Sequence, residues 1–189
     1  MSLFFIALLP PQDIQDYAND IKQYFADNYA SRHAQKSPPH ITLQQPFKWA
    51  DSDVSKIEAT LAEFASQKQS LTITLNGFAA FPPRVIYIDV VQSQELLNLQ
   101  ADLKAVVEAN LGIVDKEGKN HRFTPHMTVA FRDLIRQNFQ AAWTEFANRQ
   151  LYFEFIADKV TLLIHDNKRW HIKSEFAFLP KSENSDVIL

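Results

Sequence analysis

Two short stretches of the chain alternate apolar and polar residues and share one four-residue pattern. They read Pro-His-Ile-Thr at residues 39–42 and Pro-His-Met-Thr at residues 125–128, and an apolar residue follows each. Alternation at every second position is typical of a strand with one buried face. Because successive strand side chains point to opposite faces, each histidine should share a face with the threonine two residues later.

The first half of the chain places other elements around its motif. Residues 3–9 are apolar and predict a buried strand, and two prolines then open a helix. A second helix is predicted to begin at Asp51 or Ser52, and residues 71–75 form an alternating strand. Gly77 indicates a turn or bulge after that strand.

The second half repeats this order. A strand is predicted at residues 85–90, followed by a helix that Ser93 caps and Gly112 ends. After the second motif, Asp133 is predicted to begin a helix, and residues 151–156 form the strand that matches residues 71–75. Residues 161–165 and 171–178 are predicted to form a closing hairpin.

The repeated order predicts an α+β fold with two pseudo-symmetric lobes of antiparallel sheet. The helices are expected on the outside, and a central cleft between the lobes is expected to carry both His-x-Thr motifs. Residues 1–180 are predicted to form one bilobal domain, with repeat halves at about residues 3–82 and 84–165. The polar residues 181–189 are predicted to be a flexible tail.

Composition narrows the possible function classes. The chain has 189 residues, of which 46% are hydrophobic, so it can bury a sizeable core. Its net charge of −3 gives no overall basic field, and nucleic acid would need a local basic patch. It has no cysteine, which excludes disulfides and thiolate chemistry. The apolar start lacks the basic residues of a signal peptide, and no stretch is long enough to span a bilayer. A cytoplasmic location without membrane attachment is expected.

Two histidines and two threonines in one cleft match the chemistry of phosphodiester hydrolysis. One imidazole can accept a proton while the other donates one. Threonine hydroxyls can donate hydrogen bonds to the phosphate oxygens, where negative charge accumulates. A metal site is disfavoured, because His-x-Thr is not a ligand spacing and the chain has no His-Glu-x-x-His. No cofactor is predicted, since three glycines provide no phosphate-binding loop.

The paired motif resembles the two-histidine phosphoesterase superfamily, and specifically its 2′-5′ RNA ligase-like branch. Residues 3–10 and 83–87 resemble the family's strands, and residues 122–130 resemble its second motif. The resemblance implies hydrolysis of RNA 2′,3′-cyclic phosphate ends to 2′-phosphates, or of related 2′-5′ and cyclic nucleotide bonds. It also allows 2′-5′ RNA ligation. The implied partner is an RNA end or a cyclic nucleotide, with no obligate protein partner.

The same resemblance implies roles for individual residues. His40 becomes the general acid and His126 the base that activates water, although the symmetry leaves the reverse assignment open. Thr42 and Thr128 match the phosphate-binding hydroxyls. Many relatives place an arginine five residues after the second histidine, where this chain has a phenylalanine. The two candidate phosphate-binding arginines are therefore Arg132 and Arg84. Arg132 shares the His126 face if the strand alternation continues.

Loops and aromatic residues near the motifs bear on the substrate. The loop before each motif is basic and could form a rim that contacts RNA, although solvated surface is an equal alternative. Phe47, Trp49 and Phe131 could stack on a base, or belong to the core. His165 and His171 are interpreted as structural. A non-catalytic module that binds RNA ends in the same cleft remains the alternative to an enzyme. The rim residues are Arg32, His33 and Lys36 before the first motif and Lys116, Lys119, His121 and Arg122, beside Asp115 and Glu117, before the second.

Overall fold

A computed structural model describes residues 1–114 and 122–181 of the chain. The helices in this part are α1 (Gln12–Asn28), α2 (Val54–Ser66), α3 (Gln94–Leu111) and α4 (Arg136–Phe146). The strands are β1 (Ser2–Leu8), β2 (Ile41–Trp49), β3 (Leu71–Phe81), β4 (Val85–Val90), β5 (His126–Ala130), β6 (Tyr152–Ala157), β7 (Lys159–His165) and β8 (Trp170–Ala177).

The strands form two antiparallel sheets of four strands, in the orders β2-β1-β7-β8 and β5-β4-β3-β6. The predicted α+β class with two antiparallel sheets is confirmed. Each motif strand lies at the edge of its own sheet, and β2 and β5 contact each other where the sheets meet. This contact between the sheets brings the two motifs together.

The third strand of each half lies in the sheet of the other half. Strand β3 follows the first motif but pairs with β4, and β7 follows the second motif but pairs with β1. By position in its sheet, β7 corresponds to β3, whereas β6 is an edge strand beside β3. The predicted match of residues 71–75 to 151–156 is therefore wrong, and the exchange joins the two lobes.

Local signals explain where the elements begin and end. The Ser93 hydroxyl accepts the Leu96 N–H at 3.1 Å, and Gly112 ends α3 with a φ of 64°, as predicted. Gly77 has a φ of 72° at an irregularity in the pairing of β3 with β4, which is the expected bulge. The predicted cap at Asp51 or Ser52 is wrong, because α2 begins at Val54 and Asp51 instead accepts the terminal amino group at 2.8 Å.

Each sheet has a face toward the helices and a face toward the cleft. Along β1, Phe4, Ile6 and Leu8 belong to the main hydrophobic core, whereas Phe5 and Ala7 form a small cluster with Leu163 on the other face. The motif strands follow the same rule, because Ile41, Leu43, Met127 and Val129 are buried in the main core. The histidine and threonine of each motif are thus left on the cleft face.

The remaining predicted elements have mixed outcomes. Strands β7 and β8 pair as the expected closing hairpin. Most of the predicted tail lies outside the described residues, although Lys181 donates its N–H to Ser70 Oγ at 3.0 Å. No helix in the described part of the chain is long and apolar enough to cross a membrane.

Candidate active site

The two motif histidines make the same backbone hydrogen bond. The Nδ1 atom of His40 lies 2.7 Å from the carbonyl oxygen of Pro38, and the Nδ1 atom of His126 lies 2.7 Å from that of Thr124. A carbonyl oxygen can only accept, so Nδ1 carries the hydrogen in both rings. In the neutral ring, Nε2 is therefore the free, basic nitrogen of each histidine.

Burial keeps both imidazoles neutral in the free protein. It lowers the pKa of His40 to about 4, although the hydrogen bond to Pro38 acts in the opposite direction. The positive charge of Lys22, and that of His126 when it is protonated, lower the pKa of His40 further. Burial also lowers the pKa of His126, against the effect of its bond to Thr124. Both motif histidines are therefore neutral bases in the free protein.

Aromatic rings surround the histidines and exclude water from one side of each. The ring of Phe5 lies 4.7 Å from that of His40 between centroids. The rings of Phe81 and Tyr87 each lie 5.2 Å from that of His126. These contacts explain the burial that lowers both pKa values. They also hold the imidazole rings in one orientation, together with the backbone hydrogen bonds.

Both motifs line one cavity of about 500 Å³ between the two sheets. Thr42 and Thr128 are partly exposed to it, opposite Ala7 and Tyr87 on the neighbouring strands. None of the described lining residues is an aspartate or a glutamate. Seven are basic or histidine, although the whole chain carries a net charge of −3. They are His33, Lys36, His40, His126, Arg132, His165 and Lys168. The cavity therefore suits an anionic ligand.

The two candidate arginines are placed differently. Arg132 lines the cavity, where its Nη1 donates to Nε2 of His33 at 3.3 Å. Its position does not come from strand alternation, because β5 ends at Ala130 and Arg132 has a φ of 61°. Arg84 is exposed in the turn between β3 and β4, and it is not among the described residues that line the cavity. The structure therefore brings Arg132, but not Arg84, to the motifs.

Asp133 fixes the loop that carries His33. Its carboxylate accepts the Ser31 hydroxyl at 2.9 Å and the backbone N–H groups of Arg32 and His33 at 2.8 and 2.9 Å. The prediction that Asp133 begins a helix is wrong, because α4 begins at Arg136. A residue of the second half thus holds a loop of the first half over the cavity.

The predicted basic rim is only partly at the cavity. His33 and Lys36 line it, whereas Arg122 donates to Gln92 Oε1 at 3.3 Å. The charged positions 115–117, 119 and 121 lie outside the described residues. Among the predicted stacking residues, Phe131 lines the cavity, while Phe47 is buried in the core and Trp49 packs against it.

Three residues at the cavity have no counterpart in the motif pattern. His165, Lys168 and Trp170 of the β7–β8 hairpin all line it. His165, interpreted as structural from the sequence, therefore lies at the cavity. Only the pairing of β7 with β1 brings this hairpin to the site, and no local signal in the sequence reveals that pairing.

A buried lysine lies behind the first motif. Lys22 on α1 is 1% exposed, and its Nζ donates to the carbonyl oxygen of Ser37 at 2.9 Å. Burial lowers its pKa to about 7. Its position on the apolar face of α1 follows the helical spacing of Ile14, Ala18 and Ile21, which could have identified it in the sequence.

The described residues offer no clustered metal ligands. In the described ranges, no group of three or more histidine, cysteine, aspartate or glutamate side chains could hold a metal ion. The donors that are brought together are imidazoles, hydroxyls and a guanidinium. These groups can exchange protons with a phosphate and donate hydrogen bonds to it.

Comparisons with known proteins agree with chemistry on a phosphate ester. A family model described as the 2′-5′ RNA ligase superfamily matches residues 10–169. A protein of Geobacillus sp. (strain WCH70) named "Putative phosphoesterase" is 28% identical over 174 residues, covering 90% of this chain and 93% of the relative. A protein of Bacillus pumilus (strain SAFR-032) with the same name is 29% identical over 175 residues, covering 90% and 94%.

Two solved structures share the fold. The structure of the Thermus thermophilus protein TT0787 matches with a TM-score of 0.68 and 19% identity, over 96% of this chain and 100% of that one. The structure of E. coli LigT complexed with 3′-AMP matches with a TM-score of 0.62 and 14% identity, over 94% and 98%.

Proposed function

Because the chain belongs to the 2′-5′ RNA ligase superfamily, we propose that it is a cyclic phosphodiesterase that hydrolyses RNA 2′,3′-cyclic phosphate ends without a metal ion. The membership confirms the resemblance expected from the two motifs. It makes the protein an enzyme of the phosphoesterase or 2′-5′ RNA ligase type. The specific substrate, the residue roles and the action of residues 1–180 as one unit are our proposal.

One observation carries the proposal. His40 and His126 present equivalent basic nitrogens to a cavity that also contains Thr42 and Thr128 and has no acidic side chain among its described lining residues. A cyclic phosphate is an anion, and this lining favours it over a neutral or cationic ligand. The fold match to LigT, which was crystallised with 3′-AMP, is consistent with a nucleotide as ligand.

The proposed reaction needs one proton removed and one proton supplied. His126 would accept a proton from water through Nε2 as the water oxygen attacks phosphorus. His40, protonated in the complex, would donate a proton to the ribose 3′-oxygen as the P–O3′ bond breaks, which leaves a 2′-phosphate. Thr42 and Thr128 would donate hydrogen bonds to the non-bridging oxygens, with the Arg132 guanidinium beside them.

A low pKa in the free protein does not conflict with an acid role for His40. The cavity contains no acidic side chain among its described residues, so the first negative charge to enter is that of the phosphate. An anion in contact with an imidazole favours the charged form and raises its pKa. The substrate would therefore supply the charge that protonates its own general acid.

The experiment that tests this function is turnover of a nucleoside 2′,3′-cyclic phosphate by the purified protein. We expect hydrolysis to a single 2′-phosphate isomer, with most of the activity lost in His40→Ala and in His126→Ala. The double variant should be little worse than either, because the pair acts as a unit. Lys173→Ala, at an exposed position of β8, is the control.

Two outcomes would contradict the proposal. Full activity in either single variant would exclude a two-histidine mechanism. Tight binding of an RNA 2′,3′-cyclic phosphate end without any turnover would favour the alternative, a non-catalytic module that binds RNA ends in the same cavity.

A further inference from the structure

The β7–β8 hairpin continues an aromatic surface from the first motif histidine to the edge of the cavity. The Phe5 ring lies 4.7 Å from that of His40 and 4.5 Å from that of Trp170. The Trp170 ring lies in turn 4.8 Å from that of His165. All four residues line the cavity. The large aromatic side chain of Trp170 is therefore connected to His40 through the ring of Phe5. A ligand whose phosphate lies between the motifs could contact Trp170 with another part of the molecule.

His165 differs from the two motif histidines in the role of its Nδ1 atom, which accepts a hydrogen bond instead of donating one. The backbone N–H of Asn167 donates to Nδ1 of His165 at 3.2 Å. Nδ1 is therefore the unprotonated nitrogen, and in the neutral ring Nε2 carries the hydrogen. This is the reverse of the arrangement at His40 and His126. His165 is thus a hydrogen-bond donor toward a ligand rather than a third base.

The tip of the hairpin holds a lysine in a fixed turn. The Asp166 carboxylate accepts the backbone N–H groups of Lys168 at 2.8 Å and Arg169 at 2.7 Å, and it pairs with His171 at 2.8 Å. These contacts lower the pKa of Asp166 and keep it charged. The Lys168 side chain is exposed and lines the cavity, and it makes no salt bridge with the described residues.

We propose that His165, Lys168 and Trp170 form a subsite for the nucleotide that carries the reacting cyclic phosphate. Trp170 stacks on its base, while His165 and Lys168 hold the phosphodiester on its 5′ side. This inference rests on the proposed function, and it specifies the substrate as the end of an RNA chain rather than a free mononucleotide. Tryptophan can stack on any base because every base has a π-face. The subsite therefore recognises that the RNA continues on the 5′ side, without selecting a nucleotide sequence.

The alternative location for the base is beside the other aromatic rings of the cavity. These are Phe81, which is 39% exposed, and Phe131, which precedes Arg132. The Phe131 ring packs against His33 and the Arg132 guanidinium, and that guanidinium is assigned to the reacting phosphate. Phe81 packs against Tyr87 and His126. The hairpin instead combines an aromatic face with a lysine that makes no salt bridge among the described residues, which is the pair that a base and its phosphodiester need.

The test compares two substrates with the same cyclic end. One is a dinucleotide with a 2′,3′-cyclic phosphate, and the other is the mononucleoside 2′,3′-cyclic phosphate, which lacks the 5′ phosphodiester. Lys168→Gln should lower the ratio of kcat/KM for the dinucleotide to that for the mononucleoside by about tenfold, the size of one charge-assisted hydrogen bond. Lys173→Gln, an exposed lysine on β8, should keep the wild-type ratio.

A binding measurement separates this inference from the proposed function. The dinucleotide 2′-phosphate product should quench tryptophan fluorescence in the wild type, and Trp170→Phe should remove most of that quenching. Quenching without turnover of any cyclic phosphate would support the subsite while contradicting the enzymatic function. Turnover with a wild-type substrate ratio in Lys168→Gln would overturn the subsite. A ratio that instead changes in Phe131→Ala would place the base at Phe131 and overturn the subsite as well.

Discussion

His40 and His126 each donate from Nδ1 to the carbonyl oxygen two residues earlier in the chain, at the same distance of 2.7 Å. The two halves therefore build the same acceptor nitrogen twice, in one cavity. Identical local bonding gives no reason for one ring to act as acid and the other as base. The difference must come from the surroundings, where Lys22 contributes to the low pKa of His40 but not to that of His126.

The first prediction concerns the pH dependence of turnover. The general base must be neutral and the general acid protonated, so the rate should be bell-shaped in pH. The profile of kcat/KM reports pKa values of the free enzyme, and that of kcat reports the complex. Burial lowers both histidine pKa values in the free protein, and the bound phosphate raises them. We therefore expect the kcat optimum at a higher pH than the kcat/KM optimum. Coincident optima would show that the substrate charge does not raise these pKa values.

The second prediction concerns the two threonines. Thr42→Ala and Thr128→Ala should each raise the transition-state barrier by about 2.7–4 kcal/mol, on the scale of one lost oxyanion donor. The fold should be retained, because both hydroxyls face the cavity rather than the core. Thr72→Ala, in β3 away from the cavity, is the matched control for loss of a strand threonine. A double variant with wild-type kcat/KM would remove the threonines from the reaction.

The sequence predicts the motif strands well because the buried face of a strand is determined by neighbouring residues in the chain. Alternation of apolar and polar residues determines which face is buried, and Ile41 and Met127 are both fully buried while Thr42 and Thr128 remain partly exposed. The two halves repeat this pattern. Contact between β2 and β5 then follows from packing two similar lobes together.

The rest of the site depends on long-range pairing and could not be predicted in this way. Strand β7 pairs with β1 from the opposite end of the chain, and this pairing brings His165 to the cavity. The alternating pattern of β3 also does not reveal that it pairs with β4 and β6 rather than with β1. At Arg132 the backbone turns to a φ of 61°, so extrapolation of the strand alternation fails one residue past Phe131.

The third prediction concerns the buried Lys22. Its pKa of about 7 in the folded protein lies below the value of about 10.4 in an unfolded chain, so the unfolded state binds more protons between these values. Stability of the wild type should therefore rise with pH across this window. Lys22→Met removes this dependence, so its stability relative to the wild type should fall by about 1.4 kcal/mol per pH unit between roughly pH 7.5 and 10.

Urea denaturation at several pH values measures this difference. Loss of the hydrogen bond to the Ser37 carbonyl in Lys22→Met adds a cost that is nearly independent of pH, so the slope is the informative quantity. Lys173→Met, at an exposed lysine of β8, should show no such slope. Parallel stability curves for Lys22→Met and the wild type would mean that Lys22 is not desolvated in the folded protein.

The fourth prediction concerns metal dependence. The proposed charge stabilisation comes from threonine hydroxyls, an imidazolium and the Arg132 guanidinium, so turnover should be unchanged after incubation with EDTA. Arg132→Gln should weaken turnover, because a neutral amide cannot replace the guanidinium beside the phosphate. Activity that EDTA abolishes and zinc or manganese restores would contradict a reaction carried by these side chains alone.

The last prediction assigns the acid and the base. A p-nitrophenyl phosphodiester has a leaving oxygen that needs little protonation, so its hydrolysis depends on the base that activates water but hardly on the acid. We expect His40→Ala to recover much of its lost activity on this substrate relative to the cyclic phosphate, whereas His126→Ala should stay inactive on both. The comparison within each variant cancels any general loss of folded protein. Recovery in His126→Ala alone would reverse the two roles, which the equivalent hydrogen bonds of the two rings permit. Recovery in both variants would mean that neither histidine is needed to activate the water, and the attack would then have to be assigned to another group in the cavity.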